Sequence, residues 1–279
     1  MPVWRLRDRT LDFPPPLAAG IVNVTDDSFF EGARSGTPQR AVEDGLALVD
    51  AGFDMLDVGA VAARSGPPVG AEDEAAKLVP AVEALAERSG VPVLADTFSP
   101  EVARRTLDAG AAAINDISGG SPELFEAVAD AGAGYVLMHI EGPPRVDRPA
   151  PHYDDVVDHL KAWFTDRMGA AVAAGVAEEA IALDPGPDFD LSTDDDLEIL
   201  RRLGELRSLG RPLFVALSRK DFLGAILAGS WEARLPAAER GPATLAAATL
   251  AVAEGAEMLR LHDVEALDAM RVAAAVTER

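Results

Sequence analysis

Short apolar runs alternate with longer amphipathic segments eight times along this chain, and that rhythm leaves few folds open. The runs are LAAGIVNVT (17–25), FDMLDVGA (53–60), VPVLADT (91–97), AAAINDI (111–117), AGYVLMHI (133–140), AIALDPG (180–186), RPLFVALS (211–218) and EMLRLHD (257–263). Continuous apolar character fits strands buried on both faces, as in parallel sheets. Helical periodicity marks the segments between them. AVEDGLALVDAG (41–52) is closed by Gly52, and PEVARRTLDAG (100–110) has Pro100 where a first helical turn tolerates it. Further helices are expected over 72–88, 122–132, 154–175, 194–210 and 264–278, with an interrupted helical region over 219–255. Eight strand–helix units predict an α/β fold, a single (β/α)8 TIM barrel with residues 1–279 as one domain. A doubly wound open sheet is the alternative, but no Gly-rich dinucleotide turn follows the first strand.

Composition narrows the functional classes. Hydrophobic residues make up 48% of the 279, too many for a disordered chain. No stretch approaches the roughly 20 uninterrupted apolar residues of a spanning helix. The opening MPVWRLRDRTLDF lacks the apolar core of a secretory signal, so a cytoplasmic protein is expected. Absence of cysteine excludes disulfides and thiolate metal sites. A formal charge of −22 opposes nucleic-acid binding, and an anionic substrate would require the few basic side chains to gather at its site.

The ends of the apolar runs matter most, because a barrel forms its active site at the C-terminal rim of its strands. Those ends carry Asn23, Asp57, Asp96, Asn115, His139, Asp184, Ser218 with Arg219 and Lys220, and Arg260 with His262 and Asp263. Any one of them could be a helix cap or loop ion pair. Burying so many together without a ligand would be costly. Asp96, Asn115 and Asp184 match the donor edge of an amino-substituted, guanidine-like heterocycle, while Lys220 and Arg219 suit its acceptor side. Asn23, Arg260 and His262 offer an amide and basic donors for a diphosphate. His152 and His159 read as surface residues, Met138 as barrel packing, and His139 as a core or supporting residue.

Seven strings carry a resemblance: GIVNVTDDSF (20–29), ADTFSPEVA (95–103), INDISGG (114–120), LMH (137–139), LDPG (183–186), LSRKDFLG (217–224) and RLHDV (260–264). In this order and spacing, from about Trp4 to the last helix, they resemble the dihydropteroate synthase family. The resemblance implies condensation of 6-hydroxymethyl-7,8-dihydropterin diphosphate with p-aminobenzoate, releasing pyrophosphate. It implies pterin contacts from Asp96, Asn115, Asp184, Lys220 and Arg260, and pyrophosphate contacts from Asn23, Arg64, Arg260 and His262. Asn23 would also help hold a Mg2+ ion, and Arg64, Phe189, Ser218 and Arg219 would face the arylamine. Asp96, Lys220 and Glu31 are the implied catalytic residues. Members are commonly dimeric through their late helices; the apolar tail 269–276 fits a homodimer, and equally packing on the barrel wall.

Departures cluster on the arylamine side. Where the family has Glu-Ser-Thr-Arg-Pro-Gly after the second strand, this chain retains only Arg64 and Gly66, with Ala63 and Ser65 in place of Thr and Pro. Asp26 replaces a Pro, and Glu31 stands where the family has Asp. After LDPG, the family's Gly-Phe-Gly-Lys becomes Asp188-Phe189-Asp190-Leu191, adding two negative charges near the expected place of a carboxylate substrate. Two functions are therefore open: a working synthase with altered loops, or a paralogue that binds a pterin without making dihydropteroate. A pterin-dependent methyltransferase is a third, but no corrinoid-binding signature occurs.

Overall fold

The computed structural model describes residues 2–24, 36–63, 66–146 and 148–278; the expectations for Glu31 and Arg64 fall outside them. Eight parallel strands form the sheet: β3 (Leu17–Asn23), β4 (Met55–Gly59), β5 (Val93–Asp96), β6 (Ala113–Asp116), β7 (Gly134–Met138), β8 (Ile181–Asp184), β9 (Phe214–Val215) and β10 (Met258–Leu261). Each lies beside its neighbour in chain order, except that β3 also pairs with β10. A parallel bridge between Leu183 and Leu213 joins β8 to the approach to β9 and closes the ring. This is the expected (β/α)8 barrel.

Helices α1 (Pro38–Asp50), α2 (Ala71–Arg88), α3 (Pro100–Asp108), α4 (Pro122–Ala131), α5 (Val156–Ala173) and α6 (Thr193–Arg201) follow successive strands. The interrupted region resolves into α7 (Asp221–Ala228) and α8 (Gly241–Ala253), and α9 (Val264–Thr277) ends the chain. Pro100 and Pro122 occupy first-turn positions, with Ser99 and Ser121 capping the helices through their hydroxyls. The helix expected over 194–210 leaves α geometry after Arg201 and continues as a 3-10 turn over Leu203–Leu209. No helix among the described residues is long and apolar enough to cross a membrane.

Two-residue periodicity within the strands positions the site. Leu56, Val58, Ile114, Tyr135, Leu137, Ile181, Val215 and Leu259 pack outward into the strand–helix core. Met55, Leu94, Ala113, Val136, Ala182, Phe214 and Met258 form a separate cluster inside the barrel. Two residues further along those same inner faces come Asp57, Asp96, Asn115, Met138, Asp184 and Arg260. The interior is therefore apolar at the bottom and polar at the top.

No strand was expected before residue 17, yet β1 (Val3–Arg5) and β2 (Thr10–Asp12) form an antiparallel hairpin. Trp4, Leu6 and Phe13 belong to the interior cluster, so the hairpin plugs the barrel floor. The indole N–H of Trp4 donates to the Ala180 carbonyl at 2.7 Å. Strands of three residues show too little alternation to be read from sequence, and this pair is stabilised by what it covers.

Candidate active site

Strand register gathers the site. Asn23 is paired with Gly59, Gly59 with Asp96, and Asp96 with Asn115, so four consecutive strands bring these residues to one level of the mouth. A Cβ at Gly59 would lie 3.3 Å from the Asp96 carboxylate, so glycine makes room for it there.

At the centre is Arg260. Its Nε is hydrogen bonded to Asp57 Oδ2, and its Nη2 donates to Asp96 Oδ2 at 2.7 Å. Asn115 donates through Nδ2 to the same Asp57 oxygen at 3.1 Å. Asp57, a strand-end residue outside the expected pterin and pyrophosphate contacts, is the shared acceptor of Arg260 and Asn115 in the structure. Its inward register, two residues past Met55, was the available signal. Asp184 accepts the Gly186 backbone N–H at 2.9 Å. Lys220 donates to the Pro187 carbonyl at 2.8 Å, with its ammonium 4.6 Å from the centre of the Phe189 ring.

Burial pushes the Asp96 carboxyl up to about 7; Arg260 opposes the shift and the neighbouring Asp57 charge reinforces it. Burial likewise raises Asp184 to about 6, against the pull of Lys220. One shared guanidinium does not compensate the desolvation of so many carboxylates. His262, expected as a basic donor, is instead held neutral: burial first, then the Arg260, Arg219 and Lys220 charges, lower it to about 3. Its Nδ1 lies 2.8 Å from Ser218 Oγ, which also accepts the His262 backbone N–H at 3.3 Å.

Arg219 is not gathered into this cluster in the same way. Its guanidinium makes two hydrogen bonds with Asp263, at 2.9 and 2.8 Å, and another to the Ala237 carbonyl at 2.9 Å. Beside these polar groups of the mouth, Ile117, Met138 and Ile140 form a small apolar cluster on which Ala63, Phe98 and Phe189 pack. It offers a flat ring an apolar wall.

Comparison with known proteins decides which family uses this mouth. A family model described as "Pterin binding enzyme" matches residues 19–262. The chain is 37% identical over 266 residues to dihydropteroate synthase of Escherichia coli K12, covering 94% of this chain and 92% of the relative. Among solved structures, the Yersinia pestis dihydropteroate synthase with a sulfonamide drug superposes with a TM-score of 0.92 at 34% identity, covering 99% of both chains. The Xanthomonas albilineans enzyme in complex with 7,8-dihydropteroate matches with a TM-score of 0.84 at 36% identity, covering 100% of both chains. The chain belongs to the dihydropteroate synthase family.

Against that family pattern, the two extra carboxylates after LDPG can be assigned places. Asp188 and Asp190 both have positive φ, 68° and 55°. Where the family uses glycine, aspartate is among the residues that best tolerate this left-handed conformation. Asp188 is buried, and its carboxylate accepts the backbone N–H groups of Asp221 and Phe222 at the start of α7. Asp190 pairs with Arg148 at 2.7 Å and accepts the Glu141 N–H at 3.0 Å. Both charges are thus engaged within the protein. Gly186 keeps its role: at φ 72°, a Cβ there would lie 2.3 Å from the His139 carbonyl.

Proposed function

We infer that this chain is a working cytoplasmic dihydropteroate synthase. It joins 6-hydroxymethyl-7,8-dihydropterin diphosphate to p-aminobenzoate and releases pyrophosphate, a step of folate biosynthesis. The observation that carries this reading is a pair of buried acceptors in the mouth: among the described residues, Asp57 Oδ1 and Asn115 Oδ1 have no hydrogen-bond partner. Unmet buried acceptors are costly, and they suit a ligand with an edge of N–H donors. A pterin has such an edge.

Asp96, Asn115, Asp184 and Lys220 are assigned to the pterin ring, with Arg260 ordering Asp57 and Asp96 around it. As the bond from the pterin methylene carbon to the diphosphate oxygen breaks, its electron pair leaves with pyrophosphate and positive charge spreads into the ring. Ionised Asp96 stabilises that charge, and Lys220 braces the loop below through Pro187 and Phe189. The arylamine nitrogen then forms the new bond to carbon and loses a proton, for which Glu31 is the proposed acceptor. Arg64, Phe189 and Ser218 are assigned to the arylamine. Arg219 supports them by fixing the turn before α7 through Asp263.

Asn23, Arg64, Arg260 and His262 are assigned to the diphosphate. A Mg2+ ion fits this edge of the mouth because Asn23, one strand from Asp96's neighbour Gly59, offers a hard amide oxygen among carboxylates. When bound with diphosphate, Mg2+ would neutralise the leaving group's charge. A homodimer is also proposed, supported by exposed Leu250 on α8 and Val272 and Val276 on α9. Those apolar side chains suit a second copy of the chain.

The pterin-binding paralogue is less well supported, since Asp188 and Asp190 no longer present free charge to p-aminobenzoate. A steady-state assay with pterin diphosphate, Mg2+ and p-aminobenzoate tests the choice. Pyrophosphate and dihydropteroate are expected in equal amounts; tight pterin binding without either product would overturn the synthase reading.

A further inference from the structure

Beyond the pterin pocket, three metal-ligating side chains converge where β7 leaves the barrel. His139 follows β7, Glu141 stands two residues on, and His159 projects from the first turns of α5. Nε2 of His139 is 3.1 Å, and Nε2 of His159 2.5 Å, from the same oxygen, Oε1 of Glu141. The three ligand atoms all lie within 4.8 Å of one another. Two of the four histidines in the chain are spent on this one carboxylate.

The surroundings favour a built site over a chance surface contact. His139 is fully buried, and its ring lies edge-on to Trp163 with centroids 5.0 Å apart. Among the described residues its buried Nδ1 has no hydrogen-bond partner, so packing and whatever Nε2 meets hold the ring in place. Tyr153 flanks His159 with ring centroids 4.7 Å apart. One ligand is thus anchored in the core, while Glu141 and His159, with side chains 27% and 36% exposed, keep an entry path and freedom to contract.

We propose that His139, Glu141 and His159 form a site for one divalent transition-metal ion of the imidazole-preferring class, such as Zn2+. Two imidazole nitrogens and one carboxylate oxygen are a donor set favoured by Zn2+ and its neighbours in the first transition row, and a poor match to Mg2+. Three protein ligands leave a fourth position for water. Both Nε2 atoms would present lone pairs to the metal, so each neutral ring would carry its proton at Nδ1. The acidic chain favours any cation near its surface, whereas this geometry would select by ligand type. Binding would tie the segment after β7 to α5. It would also stiffen the loop beneath the arylamine side, because the His139 N–H donates to the Asp184 carbonyl at 2.9 Å and the Glu141 N–H to Asp190.

The test uses the full chain stripped of metal with a chelator, then titrated with Zn2+ by calorimetry and with Co2+ followed by visible absorption. One equivalent is expected to bind in about the micromolar range or tighter, with the intense Co2+ spectrum of a low-coordinate site. His159→Ala and Glu141→Gln should each weaken that binding by about 100-fold. Asp96→Asn, in the barrel mouth, should leave it unchanged. Zn2+ should raise the Tm of the parent protein and not that of folded His159→Ala, and millimolar Mg2+ should not displace it. Absence of a tight equivalent in the parent protein would overturn the proposal. So would parent-like binding by His159→Ala and Glu141→Gln, or loss of binding in Asp96→Asn, which would move the ion to the mouth.

Discussion

Arg260 reaches across the barrel mouth from β10 to place Nη2 2.7 Å from Oδ2 of Asp96 on β5, while its Nε holds Asp57 on β4. One guanidinium thus orders carboxylates on two further strands. Removing it leaves two buried acids without their cation, which typically costs about 3–5 kcal/mol. Arg260→Ala should therefore lose that order of stability in urea unfolding, as well as nearly all turnover. An alanine variant with unchanged unfolding would show that the pairing contributes nothing to the folded state.

The acid limb of catalysis follows from Asp96. Because kcat/KM reports ionisations of the free enzyme, and Asp96 must be charged to stabilise a cationic pterin, kcat/KM for the pterin diphosphate should fall as pH drops below about 7. Asp96→Asn should abolish that limb along with most of the rate. A pH–rate profile of the two proteins provides the check.

The same groups set a stability trend whose sign can be worked out. Asp96 and Asp184 titrate higher in the folded chain, at about 7 and about 6, than their ordinary value of 3.8. The folded state keeps protons that the unfolded state gives up, so their contribution declines as pH rises from 3.8 through those values. His262 runs the other way: lowered from 6.5 to about 3, it contributes above 6.5 and loses that contribution as pH falls. Asp96→Asn should hence be relatively more stable at pH 8 than at pH 5, by about 1–2 kcal/mol after allowing for the weakened contact with Arg260. Thermal unfolding of the variant and parent at both pH values measures the difference.

Asp188 replaces a family glycine and has become a helix cap. Asp188→Ala would remove the acceptor for two backbone N–H groups of α7 and leave a Cβ residue at φ 68°. A loss of about 2 kcal/mol is expected. Asp188→Gly should lose less, since it relieves the backbone while giving up the cap. Denaturant midpoints of both variants test the order.

At the opposite end of the barrel, Trp4→Ala should cost about 3–5 kcal/mol, as large buried aromatics do. Trp4 lies on the floor, away from the polar mouth, so KM for both substrates should remain unchanged at temperatures where the variant is folded. A changed KM would reveal coupling between floor and mouth that the packing does not indicate.

The amino-acid order by itself determined the barrel, because eight doubly buried strands must be written as eight apolar runs. It also placed Asn23, Asp96, Asn115 and Asp184 at strand ends, where the fold exposes its mouth. The helix-start signal at Pro100 was legible because it acts within one turn of chain. Tertiary structure alone decided what depended on distant partners. The β1–β2 hairpin is too short to announce itself and exists because Trp4, Leu6 and Phe13 fill the floor. The hold of Arg260 on Asp57 and Asp96, and the lowering of His262 by burial and by neighbouring charges from β10 and the turn before α7, come from the fold. Asp188 and Asp190 looked like repulsive charges and are capped or paired by α7 and Arg148. Electrostatic roles are set by which charges meet across the fold, and no local pattern in the chain encodes those meetings.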